Sequence, residues 1–120
     1  MSQKVVINLA TGHEDADRVT VAFLVATAAQ AKGREVVMFL TKEAVRLATE
    51  GFAHGVACEG CPPLESLVQR YLDAGGTYLV CPICFNARHL AEDDLAKNAE
   101  LGGTVQLWEW IGDGATTFSY

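Results

Sequence analysis

Lys4-Val5-Val6-Ile7-Asn8-Leu9, the polar step Thr11-Gly12-His13-Glu14-Asp15, the Ala-rich run from Ala16 to Ala31, and then Gly33 and Glu35-Val36-Val37-Met38-Phe39-Leu40 decide the fold class. The first run is short, β-branched and apolar on both faces, as expected of a buried parallel strand. Carboxylates at the following turn stand where a helix N-terminus favours negative charge. The Ala-rich run predicts a helix over 16–31, stopped by Gly33 at the position where helices commonly end. A second Val-rich strand follows over 35–40. This is a βαβ unit.

Working outward, Thr41 is placed to cap a short helix over 42–49, with Val45, Leu47 and Ala48 as its apolar stripe. Gly51 to Cys61 is glycine-rich and reads as irregular. Leu64, Leu67, Val68, Tyr71 and Leu72 recur at helical spacing, after Pro62-Pro63 and before Gly75-Gly76. Thr77 to Val80 predicts a third strand, and Ile83 to about Leu101 a helix broken near Ala91 to Asp93. A fourth strand is expected over Thr104 to Trp108. Gly112-Asp113-Gly114 then turns the chain toward a last one over Thr116 to Tyr120. The alternation implies an α/β fold: a three-layer α/β/α sandwich around a mostly parallel sheet of about five strands.

The length of 120 residues suits a single domain over residues 1–120. Half the residues are hydrophobic and a fifth are charged, enough apolar side chain for a core. Nine basic against fifteen acidic residues leave a net charge of −6. Nucleic acid is not an expected partner, since phosphate neutralisation needs clustered Lys and Arg. The N-terminal apolar run passes straight into an acidic segment, unlike a signal peptide, and Val19 to Ala31 is too short to span a bilayer. A cytoplasmic protein without membrane insertion is expected. No GxGxxG, Walker A, HExxH or GxSxG motif is present.

Four cysteines stand as two CxxC pairs, Cys58/Cys61 and Cys81/Cys84. In a reducing compartment such pairs point to metal or redox chemistry rather than structural bridges. Cys81 directly follows the Thr77–Val80 strand, at the sheet edge where α/β proteins gather their functional groups. A helix that runs down and a strand that runs back would place Cys58 and Cys61 at the same edge, so both pairs can face one site. Cys81-Pro82-Ile83-Cys84 lies at a strand-to-helix junction, a setting that favours thiolate. Arg88, seven residues after Cys81 and four after Cys84, can share their helix face and add positive potential. A thiolate so placed is a nucleophile able to carry sulfane sulfur. The spacing also falls within the range of zinc sites, so Cys58, Cys61, Cys81 and Cys84 are candidate ligands for zinc or an iron–sulfur cluster. A dithiol–disulfide couple of Cys81 and Cys84 is a third reading.

His13 lies on the first strand–helix loop, His54 four residues before Cys58, and His89 next to Arg88; each reads as a surface or loop histidine. Glu92-Asp93-Asp94 reads as a helix N-terminus, and Trp108 and Trp110 as core or subunit contacts. The helix over 16–31 carries more apolar surface than one face needs, including Val21, Leu24 and Val25. Trp108, Trp110, Phe118 and Tyr120 add to it, so a homo-oligomer is expected.

The stretch Tyr78-Leu79-Val80-Cys81-Pro82-Ile83-Cys84-Phe85-Asn86-Ala87-Arg88 resembles the DsrE/DsrF-like sulfur-relay family. In that family a strand ending in a reactive cysteine leads into a helix with an Arg-Gly step. Cys81 and Arg88 fit the pattern, with His89 in the glycine's place. The opening over 5–40 and the segment Pro62-Pro63-Leu64-Glu65-Ser66-Leu67 to Gly76 are similar to it as well. The resemblance implies a five-stranded parallel sheet and a homotrimer or homohexamer; no cofactor is expected on the sulfur-carrier reading, against zinc or an iron–sulfur cluster on the metal reading. The resemblance further implies a Cys81 persulfide exchanged with sulfur donor and acceptor proteins; on the reading of the residues themselves, Cys84 is the candidate resolving thiol and Arg88 stabilises thiolate or persulfide. The pair Cys58/Cys61 is additional to that pattern.

Overall fold

The computed structural model describes residues 3–120. Five strands, β1 (Lys4–Leu9), β2 (Glu35–Leu40), β3 (Thr77–Val80), β4 (Ala99–Leu101) and β5 (Thr116–Ser119), form one sheet in the order β4-β3-β2-β1-β5. Every pairing is parallel; Val6 lies opposite Val37, Leu40 opposite Val80, and Asn8 opposite Ser119. The helices are α1 (Ala16–Ala31), α2 (Leu64–Asp73), α3 (Pro82–Ala87) and α4 (Thr104–Ile111), with 3-10 segments at Lys42–Ala48 and Glu92–Asp94. Among the described residues, no helix is long and apolar enough to cross a membrane.

Side chains alternate across each strand, so the sheet divides the core in two. Val5, Ile7, Leu9, Val36, Met38, Leu40, Tyr78 and Val80 pack with α1, α2 and the first 3-10 segment. Val6, Val37, Phe39 and Leu79 form a second, smaller cluster on the opposite face, covered by Leu107, Trp110 and Ile111. The α/β/α sandwich is thus thick on one side and thin on the other.

Local chemistry explains the boundaries. Asp15 caps α1 by accepting from the Arg18 N–H at 3.0 Å, and Gly33 leaves the helix at φ +80°. Inside α1, Thr20 and Thr27 are buried and satisfy their hydroxyls on the carbonyls of Ala16 and Phe23. The Tyr71 hydroxyl of α2 donates to the Thr77 carbonyl at 2.6 Å, fixing the helix to the start of β3. A methyl group on Gly76 would collide with the Tyr71 ring, so this turn requires glycine.

Three expectations are corrected. Thr104 to Trp108 is not a strand: it belongs to helix α4. Its β-branched start imitates a strand, but Leu107, Trp110 and Ile111 meet the sheet at i, i+3 and i+4, and the Gln106 side chain accepts from the Gly103 N–H at 3.0 Å. The fourth strand is instead β4, inside the stretch expected to be helical to Leu101. That helix stops after Ala87, because His89 turns into the left-handed region at φ +55°. The short helix expected over 42–49 is a 3-10 helix over Lys42–Ala48, and Thr41 stands before it without the expected side-chain capping bond.

Candidate functional site around Cys81

Cys81 stands at the carboxyl edge of β3, its N–H donating to the Leu40 carbonyl at 3.0 Å. Its backbone is still extended, with φ −60° and ψ 116°, and Pro82 opens α3 directly after it. The missing N–H of proline is harmless at that position. The Cys81 side chain therefore follows the strand's alternation and packs, partly buried, against the second cluster with Leu79. Cys84, one turn into α3, packs against the first cluster. Both thiols are free. The expected shared helix face of Cys81, Cys84 and Arg88 is accordingly divided: Cys84 and Arg88 keep to one side of the sheet, and Cys81 faces the other.

Arg88 donates from Nη1 to the Cys84 carbonyl at 3.2 Å and from Nε to Glu43 Oε2 at 2.6 Å. Glu43 Oε1 takes a second bond from Arg46 Nε at 2.9 Å. The Arg88 hydrogen bond above all, then that of Arg46, holds the Glu43 carboxyl below its ordinary range. Glu43 is also placed by the backbone. A β-carbon at Gly12 would lie 2.9 Å from the Glu43 carbonyl oxygen, so the first strand–helix loop comes up against this residue closely. Lys42, just before it, takes a left-handed φ of +51°. Sequence reasoning missed Glu43: its only local signal was a charge on a short helix, and its partner lies 45 residues away.

His13 and His54 fall outside the thiol site. The His13 ring stacks on Phe52 at 3.7 Å between centroids and donates from Nε2 to the Phe52 carbonyl at 2.6 Å. His54 Nδ1 lies 2.9 Å from Glu65 Oε2 on the exposed surface. Glu92, Asp93 and Asp94 are exposed in their 3-10 turn.

Cys58 and Cys61 are joined in a disulfide across a tight turn, with Cα atoms 5.2 Å apart and the Cys61 N–H on the Cys58 carbonyl at 3.0 Å. The turn is anchored to α2 by the Leu64 N–H on the Val56 carbonyl. Two of the four thiolates needed for zinc or an iron–sulfur cluster are thereby consumed. Among the described residues, no group of three or more His, Cys, Asp or Glu is disposed to hold a metal ion. The four-cysteine metal reading is corrected on this geometry: Cys58 and Cys61 bond to each other in the loop before α2 and do not join Cys81 and Cys84.

The fold matches that of several solved proteins. YchN from Escherichia coli superposes with a TM-score of 0.80 over 100% of both chains, at 16% identity. A protein of unknown function from Methanobacterium thermoautotrophicum gives 0.69 over 98% of each chain, at 14% identity. One from Bacteroides thetaiotaomicron gives 0.66 over 98% of this chain and 95% of that one, at 18% identity. No curated protein matches the sequence. The model of the DsrE/DsrF-like family matches residues 3–120, and the chain belongs to that family.

Proposed function

We propose that this protein is a sulfur carrier: Cys81 accepts sulfane sulfur as a persulfide and passes it to a partner protein. The family is associated with sulfur relay between partner proteins. The observation that carries the finer reading is the placement of Cys81. It is a free, partly exposed thiol at the carboxyl edge of a parallel strand, where a nucleophile is reachable from outside the sheet. In the loading step the Cys81 thiolate attacks the outer sulfur of a donor persulfide, R–S–SH. A Cys81–S bond forms, the donor S–S bond breaks, and its electron pair leaves on R–S⁻. Delivery is the same exchange in reverse, onto an acceptor thiolate.

Arg88 contributes through position in this reading. Its bonds to Glu43 and the Cys84 carbonyl hold α3 against the 3-10 segment, which keeps the helix start beside Cys81 in one orientation. Cys84, facing the other cluster, serves packing more than resolution of the Cys81 persulfide. The working unit is a single domain, assembled in three or six copies and acting in the cytoplasm. Mass spectrometry after incubation with a sulfane-sulfur donor tests the assignment. The expected result is one added sulfur on the peptide containing Cys81, absent from Cys81→Ser; an undiminished persulfide in that variant would refute it.

A further inference from the structure

Near Cys81, on the same face of the sheet, lies a small crevice of about 250 Å³ lined by Asn8, Ala10, Thr41, Ser119 and Tyr120. The strand register places it. Leu40 pairs with Val80, so Thr41 is the neighbour of Cys81, about 4.8 Å across the ladder. Asn8 pairs with Phe39 on one side and Ser119 on the other. By alternation Cys81, Thr41, Asn8 and Ser119 all project to the α4 side, yet α4 covers only Val6, Val37, Phe39 and Leu79. The strand order also reverses here: β2, β3 and β4 lie to one side of β1 and β5 to the other, with α1 and α4 on opposite faces. A crevice at the carboxyl ends of strands where the order reverses is the place open α/β sheets bind ligands.

The lining has a definite chemistry. Asn8 is the polar exception in an apolar strand and is exposed there. Thr41 stands at a helix start, where threonine normally caps, but its hydroxyl makes no capping bond. The Asn8 amide and the Thr41 and Ser119 hydroxyls each both donate and accept, Ala10 and Tyr120 complete the lining, and no Lys, Arg, Asp, Glu or His side chain takes part in it. Such a lining complements an uncharged group that also does both, above all an amide. We propose that Asn8, Thr41 and Ser119 form a subsite that binds the amide portion of the thiol compound exchanging sulfur with Cys81. The ligand class is a cysteinyl amide, either free or within an extended peptide segment. The exchange rests on the persulfide reading: acceptor thiolate takes the outer sulfur, and the electron pair of the broken S–S bond stays on Cys81.

Protection of Cys81 tests the subsite without requiring any persulfide. The full chain carrying Cys84→Ala is modified with methyl methanethiosulfonate, a small reagent without an amide, in the presence of N-acetylserine N-methylamide. Half-protection at millimolar concentrations is expected, moving about fivefold higher for Thr41→Val and for Ser119→Ala, as the loss of one neutral hydrogen bond implies. No protection at 100 mM, or equal protection in all three proteins, overturns the subsite. Tighter protection by a seryl pentapeptide identifies a peptide segment as the source, and equal protection a free amide. Persulfide formation is measured separately on the same proteins, so its failure with intact protection refutes the sulfur-carrier reading and leaves the subsite standing.

Discussion

Arg88 Nε and Glu43 Oε2 lie 2.6 Å apart, joining the helix after β3 to the 3-10 segment after β2. The pair spans two loops at the carboxyl edge of the sheet, so it fixes their relation more than it adds to the core. Its side chains are 24% and 42% exposed, which limits its worth to about 1 kcal/mol or less. Glu43→Gln is expected to lower stability by that amount at pH 7. The Glu43 carboxyl is depressed below its usual 4.5, so its contribution is full above that pH and is lost as pH falls through the folded value. Urea melts of both proteins should differ at pH 7 and converge at the acid end; a difference that grows toward low pH would contradict this.

Cys81 and Cys84 should behave differently although they are three residues apart. Cys84→Ala removes a partly buried sulfur from the first cluster and is expected to cost about 1 kcal/mol while leaving persulfide loading intact. Cys81→Ser should abolish loading with little change in the melt. Persulfide quantified by mass spectrometry, beside urea melts, separates the two roles. Loss of loading in Cys84→Ala would mean that the two thiols act as a couple.

The strands β1, β2, β3 and β5 were legible because each is a short apolar run between turn residues, and α1 and α2 because glycines or prolines mark their ends. The start of α3 was legible too, but the stretch 88–111 was not, for a tertiary reason. Ala99-Glu100-Leu101 has no strand signal of its own and is recruited by pairing with Tyr78-Leu79-Val80. Thr104-Val105 favours a strand locally but becomes helical because Leu107, Trp110 and Ile111 bury against the sheet. At the site, the position of Cys81 was readable from the strand it ends. The direction of its side chain was not, because a helix face was assumed where the backbone is still extended. The disulfide partner of Cys58 was open for the same reason that Glu43 was missed: spacing does not reveal which side chains meet.

Tyr71 offers a test of how the core holds the start of β3. Its hydroxyl is buried and donates to Thr77 at 2.6 Å, while burial pushes its phenol well above the usual range. Tyr71→Phe leaves the ring in place and the Thr77 carbonyl without this donor, at an expected cost of about 1–3 kcal/mol. Urea unfolding monitored by far-UV dichroism gives the figure, and an unchanged midpoint would show that water replaces the hydroxyl freely.

Exposed apolar side chains argue that copies of this chain associate. Val105 and Trp108 on the outer side of α4 are 68% and 69% exposed, and Val21 and Leu24 on α1 are 43% and 39% exposed. The α4 layer is the thin one: one helix of eight residues covers only the middle of that face of the sheet, and its own outer side has nothing over it among the described residues. Patches of this kind are rarely left open on monomers. Closed symmetry would cover one patch in a trimer, and a second in a dimer of trimers. Light scattering at micromolar concentration is expected to give three or six times the 12.9 kDa of one chain. Trp108→Lys places a charge in the centre of the α4 patch without touching the sheet, and should reduce that mass while the far-UV spectrum stays the same. A wild-type mass near 12.9 kDa would refute the assembly. An unchanged oligomer in Trp108→Lys would move the interface to Val21 and Leu24, where Leu24→Lys provides the matching test.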